Sequence, residues 1–257
     1  MPRLHLFELH DFHWCPRIIR EGLTDFLETS INIQDTYGTV KTRILEALRR
    51  SGATQVVDLC SGGGGPWIHW LRKGEIQSTA VLTDKFPNQY AQNRLSQLGL
   101  PGVRYCSEPV DVAAVPADLK GFRTLFTSFH HFRPEQAENV LRDAVAHQQP
   151  IGVFEFTSRT PKALLLMLLS PFAVWLLTPR ARNVGSLRWL FTYLIPVIPA
   201  VVTIDGIVSC LRTYSVNELK KMADAATEHA PGYVWLAGRE QGRPFSITYL
   251  IGYPAES

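Results

Sequence analysis

Residues 56–67 read VVDLCSGGGGPW: an apolar run that ends in a carboxylate, breaks into four glycines and leads into a helix start. Glycine suits a backbone that must turn sharply and bring its N–H groups against a ligand. A nucleotide-type cofactor is the usual reason to build such a turn between a strand and a helix. Twenty residues beyond Gly64 a second apolar run, AVLTD, ends at Asp84. An acid at the tip of a second strand is where an α/β fold holds a ribose by its hydroxyls. The spacing is not that of a dinucleotide site, which needs G-x-G-x-x-G. Counting from Gly62 and Gly64 the third glycine falls at Trp67, and from Gly63 and Gly65 at Ile68. No G-K-[ST] follows the glycines either, so this is not a phosphate loop.

What remains, D-L-C-S-G-G-G-G, resembles motif I of the class I S-adenosylmethionine-dependent methyltransferases, usually written D-x-G-x-G-x-G. Asp58 matches the acidic residue, Gly62 and Gly64 match the second and third glycines, and Cys60 stands where the first glycine would be, with Ser61 beside it. The resemblance implies that Asp84 binds the ribose, with Lys85 next to it. PVDVAAVP is similar to the family's D-[AV]-x-x-[LV]-P pattern and follows a short third strand at 103–106. There the family implies that Asp111 reads the adenine amino group, with Val112 beside the ring. RTLFTSFHHF forms a fourth apolar strand running into Ser128, Phe129, His130 and His131. It lacks the acid that often opens this strand in the family; Phe122, Arg123 and Thr124 stand there instead. The resemblance covers residues 40–160 and resumes in the C-terminal third. It implies a Rossmann-like α/β fold, a seven-stranded sheet flanked by helices, with S-adenosylmethionine as cofactor.

Methyl transfer from a sulfonium is a direct displacement, so the protein mainly aligns the acceptor and excludes water. An alcohol or phenol acceptor also benefits from a base, and histidine titrates in the right range. His130 and His131, at the end of strand four, are the candidate catalytic residues; the plainer reading is that they cap the strand or pack on the cofactor. A carbon or activated amine acceptor can dispense with a base on the enzyme. Glu155 and Arg159 at the end of strand five, and Arg212 and Tyr214 in LRTYS, are candidates for holding the acceptor. Trp14 joins them, within a cluster of Glu8, His10, Asp11 and His13 that equally reads as a solvated polar group ahead of a helix. Two histidines without a matched second pair do not make a metal site, and no metal is expected.

The elements that must position these residues are legible as periodic segments. Ile18, Ile19, Leu23, Phe26 and Leu27 recur at helical spacing, and residues 39–50 form an amphipathic helix before strand one. Ser215 and Glu218 make a capping box for a late helix, and residues 246–254 alternate as a last strand that pairs with GYVWLAG. Four regions follow: 1–38, an N-terminal helical lid; 39–160, the cofactor-binding core; 161–209, an apolar helical hairpin inserted after strand five; and 210–257, which completes the core. At 257 residues the chain suits one α/β domain with an appended element. Its four cysteines are scattered without a C-x-x-C pair, which disfavours zinc or a disulfide framework and fits a reducing, cytoplasmic compartment. The N-terminus lacks the form of a signal peptide.

Between Glu155 and Asp205 there is no acidic residue, while Arg159, Lys162, Arg180, Arg182 and Arg188 fall there; without these five the net charge of +3 becomes −2. The same stretch holds two apolar runs, 163–177 and 187–204, broken by Pro171, Pro196 and Pro199 and too interrupted for spanning helices. They suit either shallow insertion into one leaflet, peripheral on the inner face of a membrane, or a soluble cap or homodimer surface. An apolar element after strand five favours a hydrophobic small-molecule or lipid-like acceptor. No basic stripe interleaved with aromatics points to nucleic acid. Two other classes compete with an O- or C-directed methyltransferase: a nucleotide-dependent reductase, and a non-enzymatic scaffold docking through the hairpin.

Overall fold

Short runs rich in valine, leucine and phenylalanine alternate along the chain with amphipathic segments, a pattern that folds as strands and helices in turn. The computed structural model describes residues 1–255 except positions 13, 88, 182, 183, 229 and 231, and position 90 by its backbone alone. His13 and Arg182 therefore lie outside the described residues. In chain order the elements are α1 (Arg17–Gln34), α2 (Lys41–Ser51), β1 (Gln55–Asp58), α3 (Trp67–Arg72), β2 (Thr79–Leu82), α4 (Gln89–Leu98), β3 (Val103–Tyr105), β4 (Phe122–Phe126), α5 (Pro134–Ala146) and β5 (Ile151–Glu155). Then come α6 (Pro161–Leu168), α7 (Ser170–Leu177), α8 (Ser186–Trp189) running into a π-helical turn (Leu190–Leu194), α9 (Val197–Arg212), α10 (Val216–Thr227), β6 (Tyr233–Glu240) and β7 (Ile247–Pro254). Two compact units emerge: a sheet unit, Tyr37–Phe156 with Ser215–Ser257, and a helical unit, Met1–Thr36 with Thr157–Tyr214.

The sheet unit is a seven-stranded sheet in the order β3-β2-β1-β4-β5-β7-β6. β1 to β5 are parallel; β7 runs antiparallel to both β5 and β6, so the last two strands form the hairpin read from the sequence. β5 is buried along its whole length and β4 nearly so, as strands covered on both faces must be, which is why they read as unbroken apolar runs. The charge in β4 has a partner: Arg123 is buried and donates to Asp143 of α5 at 2.5 Å. The strand order reverses between β1 and β4. At such a switch point the carboxyl ends of adjacent strands open a crevice, and α/β sheets bind ligands there. Within the sheet unit Trp67, Trp70, Phe126 and Phe154 form an aromatic cluster with ring centroids 5.1–6.1 Å apart.

The helical unit has its own core, in which Leu23, Val174, Ile198, Val201 and Val202 are buried with Ile19, Phe26, Leu27 and Phe191 packed around them. Gly22 lets α1 approach α9 closely; a Cβ there would stand 2.9 Å from Ile198 Cδ1. Three buried polar ties bind its two chain segments together. Arg188 donates to Asp25 (2.9 Å), Arg212 to Glu8 and Asp11 (3.1 and 3.0 Å), and Asp205 accepts from the backbone N–H groups of Leu9 and His10 (2.7 and 3.1 Å). Among the described residues no single helix is long and apolar enough to cross a membrane. The helices around Leu169 and Ile195 bend by 46° and 70°.

Candidate active site

The loop from β1 to α3 is built on Asp58, which is 2% exposed. Its Oδ1 accepts from Thr124 Oγ1 (2.6 Å) and the Trp67 indole N–H (3.2 Å), and its Oδ2 lies 2.7 Å from Ser61 Oγ. Burial pushes this carboxyl from 3.8 up to about 7, against the pull of the donors Thr124, Ser61 and Trp67. Asp58 thus organises the loop from below rather than lining its open side. Above it the backbone turns through left-handed conformations, at Cys60 (φ 57°), Gly62 (52°), Gly64 (110°) and Gly65 (52°). Gly64 is required sterically, since a Cβ would fall 2.4 Å from Ile68 Cδ1. At Gly62 a Cβ would meet nothing within 4 Å: the backbone faces open space. Cys60 takes the turn without being glycine, and burial beside Asp84 and Asp58 pushes its thiol well up, so it stays protonated at neutral pH.

The rim of the crevice carries the other two acids. Asp84, just past β2, accepts from the Gly62 N–H through Oδ2 (3.0 Å) and from the Phe86 N–H through Oδ1 (2.9 Å). Each oxygen is then oriented by one backbone donor, and a carboxylate oxygen has a second lone pair for a hydroxyl. Asp111 accepts from Lys85 Nζ (2.9 Å) and the Ala113 N–H (3.0 Å), and Lys85 holds its carboxyl below the usual range. Lys85 and Asp111 therefore form one exposed ion pair, and Val112 beside them is buried. Tyr105 of β3 reaches across to donate to the Gly62 carbonyl (3.2 Å). The structure brings together on one sheet edge the residues implied for cofactor binding at the ends of β1, β2 and β3.

At the ends of β4 and β5 stands a pair that spacing alone did not reveal. His130 (1% exposed) is clamped by Glu155 (2%) twice: the His130 backbone N–H donates to Oε1 at 3.2 Å, and Nδ1 lies 2.8 Å from Oε2. A carboxylate facing Nδ1 fixes the proton there and makes Nε2 the basic nitrogen. Glu155 thus binds His130. His131 is half-buried with its ring 4.4 Å from that of His130, while Ser128 and Phe129 are buried in the turn before them. Thr127 makes this turn with φ 45°, and the Tyr37 hydroxyl bonds to its Oγ1.

The remaining candidates lie in the helical unit and are engaged there. Arg212 is buried against Glu8 and Asp11, and Tyr214 carries the Arg3 guanidinium 4.0 Å above its ring. Arg159 donates to the Met1 carbonyl (3.1 Å), and Trp14 is exposed, stacked on Phe12 at 5.2 Å. His10 pairs with Asp205 at 2.9 Å; burial opposes its protonation, but Asp205, Glu8 and Asp11 outweigh that and raise its pKa. Sequence reasoning missed Trp67, Thr124 and Tyr37. Only Trp67 carried a signal: a large ring with a single donor two residues after the last glycine, where a dinucleotide motif would have its third glycine.

Comparison of the sequence with family models and with curated proteins gives no match. Among solved structures the chain is similar to the plantazolicin methyltransferase BpumL in complex with SAH, with a TM-score of 0.52 and 10% identity over 92% of this chain and 97% of that one. Against BpumL in complex with a pentazolic desmethylPZN analog and SAH the TM-score is 0.54, at 10% identity over 92% and 98% of the two chains. At such identity the likeness is one of fold. The chain is folded as these methyltransferases are, on the Rossmann-like seven-stranded sheet that its sequence led us to expect.

Proposed function

We propose that the chain is a class I S-adenosylmethionine-dependent methyltransferase acting on a hydrophobic small molecule, and that transfer is to oxygen. The observation that carries this reading is the convergence of the open Gly62 backbone, Asp84 and Asp111 at the carboxyl ends of β1, β2 and β3. These residues fit the cofactor. The Asp84 oxygens, each held by one N–H, have lone pairs left for two ribose hydroxyls, and Gly62 leaves room where a side chain would intrude. Asp111 with Val112 would take the adenine, while Ser61 and Cys60 shape the turn. When bound, the cofactor supplies an electrophilic methyl group on a sulfonium.

The protein's own part is orientation and proton transfer. The pairing of His130 with Glu155 supports an oxygen acceptor, because a base whose tautomer is fixed can take the proton from a hydroxyl. His130 Nε2 would receive the hydroxyl proton, and Glu155 would stabilise the imidazolium so formed. The apolar character of the acceptor is supported by residues 156–204, which lack any acidic side chain and carry two apolar runs. BpumL is described as a plantazolicin methyltransferase and is bound to a pentazolic desmethylPZN analog; for this chain the acceptor is assigned only as apolar.

The test is calorimetric titration of the whole protein with S-adenosylmethionine and S-adenosylhomocysteine, alongside Asp84→Ala. Micromolar binding to the wild type that is lost in the variant is the expected result. No binding at millimolar ligand overturns the reading and favours a scaffold that has kept the fold without the reaction; tight binding of a nicotinamide cofactor instead would revive the reductase.

A further inference from the structure

Helices α6 and α7 are apolar on both sides. Ala163, Met167, Ser170, Val174 and Thr178 form a buried stripe at helical spacing. The opposite stripe of Leu165, Leu168, Phe172 and Leu176 is apolar as well and 56–66% exposed. A helix on a protein's surface ordinarily turns a polar face outward; one that is hydrophobic all round belongs in an apolar medium. The surface extends beyond these two helices. Trp175 donates its indole N–H to the Thr192 carbonyl (3.0 Å), Tyr193 donates its hydroxyl to the Trp175 carbonyl (2.6 Å), and Trp189 stacks on Tyr193 at 4.9 Å. The polar tips of Trp175 and Tyr193 are thereby satisfied inside the protein, and the three rings stay 38–45% exposed. Leu194 continues the surface at 77% exposure.

We infer that this face of the helical unit docks on an anionic lipid bilayer, lying in the plane of one leaflet. Charge selects that occupant. Lys162 opens α6 and Arg180 ends the turn after α7; both are exposed, and no acidic residue lies between Glu155 and Asp205. A second copy of the same face would bring like charges together, whereas anionic headgroups complement them. Arg188, one of the five cations of this stretch, takes no part because it is buried on Asp25. Among the described residues no single helix is long enough to cross, and the 46° bend between α6 and α7 suits an in-plane element. This inference stands apart from the proposed reaction, since it concerns the helical unit alone.

Flotation of the full chain, without methyl donor, on vesicles of phosphatidylcholine alone or with phosphatidylglycerol tests it. The wild type should float with the anionic vesicles and more weakly with the neutral ones. Phe172→Ser with Leu176→Ser, at exposed positions, should lower partitioning about 100-fold. Lys162→Glu with Arg180→Glu should abolish the preference for anionic lipid while leaving circular dichroism unchanged. Absence of flotation on either vesicle overturns the inference, as does flotation indifferent to both pairs of substitutions. A dimer in sedimentation that the serine pair dissociates, without flotation, would assign the face to a second copy instead.

Discussion

Replacing Asp58 with asparagine should make the protein more stable at neutral pH and remove much of its loss of stability between mildly acidic and neutral pH. The carboxyl is 2% exposed and its pKa is raised from 3.8 to about 7, so the folded state binds this proton more tightly than the unfolded chain. The stabilisation from that proton is complete below the unfolded value and is lost as pH rises through the folded one. Over about three pH units at about 1.4 kcal/mol per unit, the loss amounts to about 4 kcal/mol. The hydrogen bonds are consistent with a protonated acid. Ser61 Oγ lies 2.7 Å from both the Asp58 carbonyl and Oδ2, and its one proton serves only one of them. If Oδ2 carries a proton, it donates to Ser61, and Ser61 donates to the carbonyl. Asparagine reproduces that arrangement, its Nδ2 donating to Ser61 while Oδ1 still accepts from Thr124 and Trp67. Urea denaturation of both proteins from pH 5 to 8 checks this. The difference between variant and wild type should grow with pH by about 1.4 kcal/mol per unit below pH 7 and then level off. A constant difference, or one that favours the wild type more as pH rises, would mean that the three donors hold Asp58 ionised throughout, and the reasoning would fail.

Three further perturbations separate the roles of other residues. Gly64→Ala places a side chain at φ 110° and 2.4 Å from Ile68 Cδ1; it should cost about 2 kcal/mol or more in thermal denaturation, with partial recovery in an added Ile68→Val. Glu155→Gln should lower kcat about 100-fold with the KM for the methyl donor unchanged, because it removes the charge behind His130 and no cofactor contact; a full-rate variant in steady-state kinetics would exclude His130 from proton transfer. Arg212→Met leaves the buried Glu8 carboxylate without its cation and should destabilise by about 3–5 kcal/mol in chemical unfolding. Adding Glu8→Gln should return part of that loss, and an additive double variant would show that the two side chains do not interact.

Three of the parallel strands were legible because each is a short apolar run stopped by a carboxylate: Val56 and Val57 before Asp58, Ala80 to Leu82 before Asp84, Ile151 to Phe154 before Glu155. The Ser215 capping box and the β6–β7 hairpin were legible for the same local reason. The strand order was not, since nothing in the periodicity of β4 says that it lies beside β1; the family resemblance implied a seven-stranded sheet without its order. Pairings between distant residues were also hidden. His130 and Glu155 are 25 positions apart and meet only because β4 and β5 are neighbours in the sheet. Arg188 looked like a surface cation because its partner, Asp25, lies 163 positions away in α1. A sequence displays charge, and only the fold shows which charges are already spent.

The helical unit is assembled from both sides of the sheet unit's sequence, and its ion pair between Glu8 and Arg212 joins residues 204 positions apart. On the ribosome, where about 5–20 residues are added each second, α1 emerges roughly 10–40 seconds before the helix that buries it. During that interval Leu23, Phe26 and Leu27 have no native partner to cover them, while the parallel strands downstream are being made and can begin to pair. The N-terminal helix therefore waits through most of this chain's synthesis before it is covered, and is a natural place for a chaperone to hold it.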